Sequence, residues 1–221
     1  NGAIKDIKNT YKNSKVLLLT GKNFVNLMSE CPYLDGVLLD KRLPRWNIFY
    51  LLKLKKLLNR YNFTHIFDLQ NSSRTRFYKK FLLNKAIWSS SETVLNPGQT
   101  KKTFDNDPVL DRMETQLNKS GVNTNFVKKI DLSWALRDIS RLIKQYANNE
   151  YILIFPFCSK KHKKKKWPYY KDLVKKLKEN YKNKYPILIA PGPGEVKEAN
   201  LLNAKVVLDN NEPINLNYLI S

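Results

Sequence analysis

Short apolar segments alternate with amphipathic helical segments along this chain, and this alternation restricts the possible fold more than any other feature. Strands are predicted at 15–20, 36–40, 64–70 and 86–90, and again at 151–157, 186–192 and 205–209. Helices are predicted at 3–13, 24–31, 48–61, 72–83, 108–119, 135–147, 168–181 and 194–203, with a last one starting near residue 214. Strands that alternate with helices are typical of βαβ units in parallel sheets. The sequence therefore predicts the α/β class.

The alternation occurs in two sets, which the polar stretch NNE at 148–150 separates. We predict two Rossmann-like parallel-sheet domains, the first with its linker at 1–149 and the second at 150–221. A chain of 221 residues is long enough for one or two domains. The second set has three predicted strands and ends as a helix begins, so we expect the second domain to be incomplete.

The chain is strongly basic, with 40 Lys and Arg residues, 19 Asp and Glu residues and a net charge of +21. This charge favours polyanionic partners such as nucleic acid, anionic lipid or phosphorylated sugars, although lysine spread through the whole composition explains it equally well. Hydrophobic residues make up 42%, which is enough for packed cores. No apolar run approaches the roughly 20 residues that span a bilayer.

Cysteine and histidine are scarce, and their positions are far apart. The chain has Cys31 and Cys158, and it has His65 and His162. Two isolated thiols predict neither a disulfide framework nor a metal site, and they fit a reducing, cytoplasmic setting.

Polar residues follow the third predicted strand, in the segment DLQNSSRTR at 68–76. In open parallel sheets, ligands bind beyond the carboxyl ends of the strands. Asp68 and Gln70 lie at this end, and Arg74 lies one turn into the next helix, where a guanidinium can grip a phosphate or carboxylate. The alternative is that Asp68 and Gln70 cap local backbone while the arginine faces water.

Two segments of the second set are candidate nucleotide loops. The basic run SKKHKKKKWP (159–168) lies between a strand and a helix. There Ser159 offers a hydroxyl, and about one lysine contacts a phosphate while the rest are solvated. The alternative is a solvated basic loop. After the next strand, Gly192 and Gly194 allow a tight turn, and Glu195 can accept hydrogen bonds from ribose hydroxyls or cap a helix.

These segments, taken in order, resemble the glycosyltransferase family 9, the ADP-heptose:lipopolysaccharide heptosyltransferases. The resemblance rests on DLQNSSRTR after a strand, on S-x(5)-K-x-W-P after the linker and on GPGE after the next strand. Two further segments, LLLTGKNFVNLMSECPYLDGVLLD and PVLDRMETQLNKSGV, also resemble parts of the family. No GxGxxG or GxxxxGK[ST] motif is present, which disfavours ordinary dinucleotide-binding and P-loop enzymes.

The resemblance implies a GT-B architecture with an acceptor-side domain followed by a nucleotide-sugar domain. It implies an inverting transfer of a sugar, with heptose expected, from an ADP-sugar to a lipopolysaccharide core or similar glycolipid. Neither a metal nor another cofactor is implied. The implied partners are the nucleotide sugar, the glycolipid acceptor and the anionic surface of the inner membrane, where the enzyme is peripheral. No specific nucleic acid is expected.

The resemblance also implies roles for single residues. Lys165 matches the lysine that contacts the diphosphate, and Ser159 lies where the family has a phosphate-binding hydroxyl. Glu195 matches the ribose-binding glutamate. Arg74 matches the basic residue that meets the acidic acceptor, and two neighbours in the same motif, Asp68 and Gln70, are expected to support it.

The chain departs from the family pattern at both ends. The family opens with a strand and a glycine-rich loop that carries the catalytic aspartate, and it has a D-T-G-x-x-H segment that completes the donor site. This chain begins in what resembles the first helix and ends before that segment. We therefore expect a fragment that is inactive alone, with an unknown catalytic residue. A basic module for nucleic acid or other polyanions and a non-catalytic GT-B scaffold stay open as alternatives.

Overall fold

The computed structural model describes residues 1–148 and 150–221, without the side chains of Lys160, Lys161 and Lys163. The chain divides into two compact units, Asn1–Trp134 and Ala135–Ser221. Both units are built from helices and short, mostly parallel strands, which confirms the predicted α/β class. Among the helices in the described part of the chain, none has both the length and the apolar character needed to cross a bilayer.

The first unit contains α1 (Gly2–Thr10), β1 (Leu17–Gly21), α2 (Lys22–Ser29), β2 (Gly36–Asp40), α3 (Ile48–Asn59), β3 (His65–Phe67), α4 (Ser73–Phe81), β4 (Ile87–Ser89), α5 (Lys101–Phe104) and α6 (Val109–Lys119). Strand β1 pairs with β2 and β3 pairs with β4, both in parallel. Helix α5 lies between the predicted strand at 86–90 and the predicted helix at 108–119, where no helix is predicted. It forms because Thr100 and Thr103 make a reciprocal capping box around its first turn.

The core of the first unit follows from the spacing of apolar residues on α3. Leu51, Leu54 and Leu58 recur every three or four residues and are buried. They form one cluster with Leu38 of β2 and Tyr78 of α4. Full burial of one such leucine contributes about 1.5–3 kcal/mol. This packing holds α3 and α4 against the strand whose end carries the polar residues described below.

The second unit contains α7 (Ser140–Ile143), β5 (Ile152–Ile154), α8 (Tyr170–Asn180), β6 (Ile187–Ile189), α9 (Val196–Ala199), β7 (Lys205–Val206), β8 (Leu208–Asp209), β9 (Glu212–Pro213) and α10 (Leu216–Leu219). Strands β5, β6 and β7 form one parallel sheet in that order. The predicted strand at 205–209 is split, because β8 turns back to pair with β9. Asn210 and Asn211 make this turn at φ of 48° and 65°, a left-handed conformation that asparagine tolerates.

The compact units divide earlier than the predicted domain boundary at 149/150, and Asn149 itself lies outside the described residues. Residues before the boundary contact the second unit directly. The hydroxyl of Tyr146 donates to the carbonyl of Leu208 and accepts from its N–H, both at 3.0 Å. Lys205 donates to the carbonyl of Tyr146 at 2.7 Å. These contacts explain why the segment after Trp134 groups with the second unit.

The predicted helix at 135–147 is wrong over most of its length, since only Ser140–Ile143 is α-helical. Asp138 contributes to the difference. Its carboxylate accepts a hydrogen bond from the backbone N–H of Ser140 at 2.9 Å. Such local bonds offer the backbone an alternative to helix formation.

Candidate nucleotide site and acceptor-side residues

The two predicted nucleotide loops follow neighbouring strands of the second unit and lie at the same edge of its sheet. Strands β5 and β6 pair in parallel, with Ile154 opposite Ile189 at their carboxyl ends. The basic run follows β5, and the GPGE turn follows β6. Neighbouring carboxyl ends of parallel strands are where open α/β sheets bind ligands.

The turn after β6 fixes the carboxylate of Glu195. The N–H of Gly192 donates to Glu195 Oε2 at 2.7 Å, and the N–H of Glu195 donates to the carbonyl of Gly192 at 3.1 Å. Gly194 has a φ of 82°, which favours glycine. The side chain of Glu195 makes no capping hydrogen bond to α9. The hydrogen bond to Oε2 therefore stabilises the turn. Among the described residues, no hydrogen bond to Oε1 is found.

The basic run forms a 3-10 helix, Lys160–Lys165, between β5 and α8. The carbonyl of Ser159 accepts from the N–H of His162 at 2.8 Å, which closes the first turn. The side chains of Ser159, Lys164 and Lys165 are exposed. The predicted phosphate contacts of Ser159 and Lys165 therefore stay predictions, with both side chains accessible to a ligand.

Lys166 links the basic run to the segment that follows β6. Its ammonium forms an ion pair with Glu198 of α9 and lies 5.3 Å from the ring centroid of Phe157. The pair bridges the two segments that carry Lys165 and Glu195. Sequence reasoning missed Lys166, because nothing in a run of identical lysines distinguishes the one with an acidic partner.

On the first unit, Asp68 shapes its own loop. It is buried, and its Oδ1 accepts hydrogen bonds from the N–H groups of Gln70 at 3.1 Å and Asn71 at 2.8 Å. Gln116 of α6, also buried, donates from Nε2 to the carbonyls of Asp68 at 3.1 Å and Ser89 at 3.0 Å. Asp68 therefore caps the local backbone, as the alternative interpretation of this segment predicts. Its acceptor-side role stays a prediction.

Gln70 and Arg74 both contact the segment that follows β2. Gln70 Oε1 accepts from the Arg42 guanidinium at 3.0 Å. Arg74 donates to the carbonyls of Arg42 at 3.3 Å and Leu43 at 3.0 Å, and to the hydroxyl of Tyr78 at 3.0 Å. The structure thus brings Gln70 and Arg74 to one segment. Arg74 is partly buried in internal contacts, contrary to the alternative in which it only faces water.

Sequence reasoning missed a buried cluster around Asp40, the last residue of β2. The Asp40 carboxylate accepts hydrogen bonds from the N–H of Arg42 at 2.7 Å, from the hydroxyl of Tyr78 at 2.8 Å and from the hydroxyl of Tyr50. Burial, and after it the hydrogen bond to Asp40, raises the pKa of Tyr50. Burial also raises the pKa of Tyr78, against the opposing effect of Arg74. Both tyrosines therefore stay neutral donors.

A small cavity lies between the start of α4 and the end of β4, lined in part by Asp68, Arg76 and Ser90. Its volume of about 10 Å³ has room for about one water molecule. In the described part of the chain, no group of three or more His, Cys, Asp or Glu side chains is arranged to hold a metal ion.

Comparison with known proteins gives matches at the level of structure. No protein-family model and no curated protein sequence matches the chain. The chain superimposes on Escherichia coli heptosyltransferase WaaC with ADP at a TM-score of 0.60 and 13% identity, covering 97% of this chain and 71% of WaaC. For WaaC with ADP-2-deoxy-2-fluoro heptose the TM-score is 0.63, again at 13% identity, with 99% and 73% covered.

A third match is the glycosyl transferase family 9 structure from Veillonella parvula DSM 2008, at a TM-score of 0.61 and 13% identity. The match covers 93% of this chain and 63% of that protein. All three likenesses extend over nearly the whole of this chain, so they concern both units. The chain therefore has the GT-B fold of these glycosyltransferases, as its sequence predicts.

Proposed function

We propose that this protein is an inverting glycosyltransferase that moves a sugar, expected to be heptose, from an ADP-sugar to a lipopolysaccharide core or similar glycolipid. The observation that carries the proposal is the fold that this chain shares with WaaC with ADP. The position of Ser159, Lys165 and Glu195, on loops that follow neighbouring carboxyl ends of one parallel sheet, supports it.

The proposed roles follow from the charge that develops during transfer. As the bond to the sugar breaks, negative charge grows on the leaving diphosphate. The ammonium of Lys165 and the hydroxyl of Ser159 stabilise this charge, which is the kind of electrostatic contribution that lowers a transition state. Glu195 accepts from the ribose hydroxyls through Oε1, while Oε2 stays bonded to the N–H of Gly192.

On the first unit, Arg74 meets the acidic acceptor, and Asp68 and Gln70 support that side of the site. Arg74 makes three hydrogen bonds to internal acceptors, and its remaining N–H donors serve the acceptor. A glycolipid acceptor and a net charge of +21 support a peripheral position at the cytoplasmic face of the inner membrane.

Calorimetric titration with ADP tests the donor half of this proposal. We expect Glu195→Gln and Lys165→Ala each to weaken binding about tenfold, because each loses a charge-assisted hydrogen bond to the ligand. Glu195→Gln keeps an amide oxygen that can accept from Gly192, so the turn is preserved. Lys164→Ala is the matched control and changes affinity less than about twofold, as exposed charges usually do.

The same titration separates the proposal from a diffuse basic module. Equal losses from Lys164→Ala and Lys165→Ala, or binding of inorganic polyphosphate with the affinity of ADP, would refute the placed nucleotide site. Loss of ADP affinity confined to Lys165→Ala and Glu195→Gln, with polyphosphate affinity not lowered by Glu195→Gln, supports it.

A further inference from the structure

Four large apolar side chains lie exposed on consecutive turns of the first unit. Trp46 is 79% exposed, Ile48 65%, Phe49 82% and Leu52 59%. We call these residues the aromatic patch. Single exposed apolar residues are ordinary on protein surfaces, whereas contiguous ones mark interaction sites.

Trp46 precedes α3, and the other three residues of the aromatic patch belong to this helix, which is apolar on two faces. The inward face of α3 buries Leu51, Leu54 and Leu58 in the core. Ile48 and Leu52, four residues apart, lie on one outward face. A groove of about 370 Å³ adjoins the patch and is lined mainly by apolar side chains, including Leu39, Leu43 and Phe49, with Lys41 and Lys53 also lining it. Core packing therefore accounts for one apolar face of α3 and leaves the other to a partner.

All the charged residues near the aromatic patch in the sequence are basic. Residues 41–67 contain no Asp or Glu. They contain seven cations, namely Lys41, Arg42, Arg45, Lys53, Lys55, Lys56 and Arg60. A partner that covers the patch must therefore combine apolar material with negative charge.

The segment that carries the aromatic patch is held in place from beneath. Arg74 donates to the carbonyls of Arg42 and Leu43, and the N–H of Arg42 donates to Asp40. The Oδ1 of Asn47 accepts from the N–H of Tyr50 at 3.0 Å and caps α3. The aromatic patch is therefore exposed on an ordered segment, and the hydrogen bonds of Arg74 help to hold that segment in place.

We propose that the aromatic patch docks the first unit onto the surface of an anionic lipid bilayer. Trp and Phe rings insert at the level of the headgroups, where such side chains are enriched, and the surrounding cations face the lipid phosphates. A second copy of the chain is disfavoured, because two equally basic rims would meet. Nucleic acid would leave the aliphatic Ile48 and Leu52 without a partner.

The inference rests on the peripheral membrane position of the proposed function and deepens it, because it names the surface of the first unit that meets the bilayer. Co-sedimentation with vesicles of phosphatidylcholine and about 30% phosphatidylglycerol tests it, without nucleotide or sugar. We expect Trp46→Ser combined with Phe49→Ser to lower the partition coefficient about tenfold or more. The matched control, Phe24→Ser combined with Ile130→Ser, removes two exposed apolar residues elsewhere on the unit and changes it less than about twofold. Thermal unfolding verifies that each variant is folded.

Charge variants separate docking from diffuse attraction. Arg45→Gln with Lys53→Gln should lower partitioning about tenfold or more, since each cation near the surface contributes about fivefold. Lys171→Gln with Lys176→Gln removes the same charge from α8 and should have a smaller effect. Equal losses from both charge pairs, or from both apolar pairs, would overturn the proposal. So would absence of vesicle binding, or a dimer in solution that the patch variant dissociates. The ADP titration is a separate experiment, so a negative vesicle result refutes the docking surface and leaves the donor site to be judged from ADP binding.

Discussion

Replacing Tyr78 with phenylalanine tests whether the buried cluster around Asp40 stabilises the first unit. The Tyr78 side chain is buried, and its hydroxyl donates to Asp40 Oδ2 at 2.8 Å and accepts from Arg74 at 3.0 Å. A hydrogen bond to a charged group contributes about 1.5–3 kcal/mol. Water can replace the lost contact of the partly exposed Arg74, so the bond to the buried Asp40 dominates. We therefore expect Tyr78→Phe to lower the free energy of unfolding by about 2 kcal/mol.

Urea unfolding monitored by tryptophan fluorescence measures this loss. In a Trp167→Phe background, the remaining tryptophans belong to the first unit, so the signal reports that unit. The control is Tyr61→Phe, because Tyr61 is an exposed tyrosine of the same unit, and it should change the free energy by less than about 0.5 kcal/mol. If Tyr78→Phe changes the free energy of unfolding as little as Tyr61→Phe does, the Tyr78 hydroxyl is not bonded to a buried carboxylate.

Three further perturbations have defined outcomes. The buried Asp6 accepts from the N–H groups of 125–127, so Asp6→Ala should lower the free energy of unfolding by about 3 kcal/mol or more in urea titration. The raised pKa of Tyr78 stabilises the folded state fully below pH ~10, and this contribution is lost as pH rises through the folded pKa. The difference in unfolding free energy between wild type and Tyr78→Phe should therefore shrink above pH ~10. Gly192→Ala puts a methyl 3.0 Å from Glu195 Oε2 and should weaken calorimetric ADP binding severalfold.

Each of these perturbations has its own control. Asp6→Asn keeps one acceptor oxygen and should cost less than Asp6→Ala, and equal costs would contradict the bonding described here. A pH-independent difference for Tyr78→Phe would contradict the raised pKa. Gly21→Ala is the control for Gly192→Ala, because its added methyl makes only an ordinary van der Waals contact, 3.6 Å from the side chain of Arg42. Equal ADP affinities of the two glycine variants would contradict a placed Glu195 carboxylate.

Much of the fold follows from local patterns. The apolar segments at 36–40 and 48–61 were recognisable from run length and from the spacing of leucines, and they correspond to β2 and α3. The shared edge beyond β5 and β6 followed from parallel pairing, which places successive carboxyl ends together. These features depend on periodicity and topology, which a single sequence contains.

Other features depend on contacts between distant segments. Asp40 meets Tyr78 across 38 positions, and Lys166 meets Glu198 across 32. No spacing rule identifies such partners before the elements are packed. The outward face of α3 was also missed, because Ile48 and Leu52 continue the apolar pattern of a helix and their exposure depends on what packs nearby.

The most direct test of the nucleotide site is a titration of isotope-labelled protein with ADP, monitored by amide chemical shifts. We expect the largest changes at 158–166 and 191–196, with Gly192 and Gly194 among them. Amides of α3 and α4 should stay unchanged. Changes spread evenly over the lysine-rich surface of both units, or concentrated at α4, would contradict a nucleotide site at the carboxyl edge of β5 and β6.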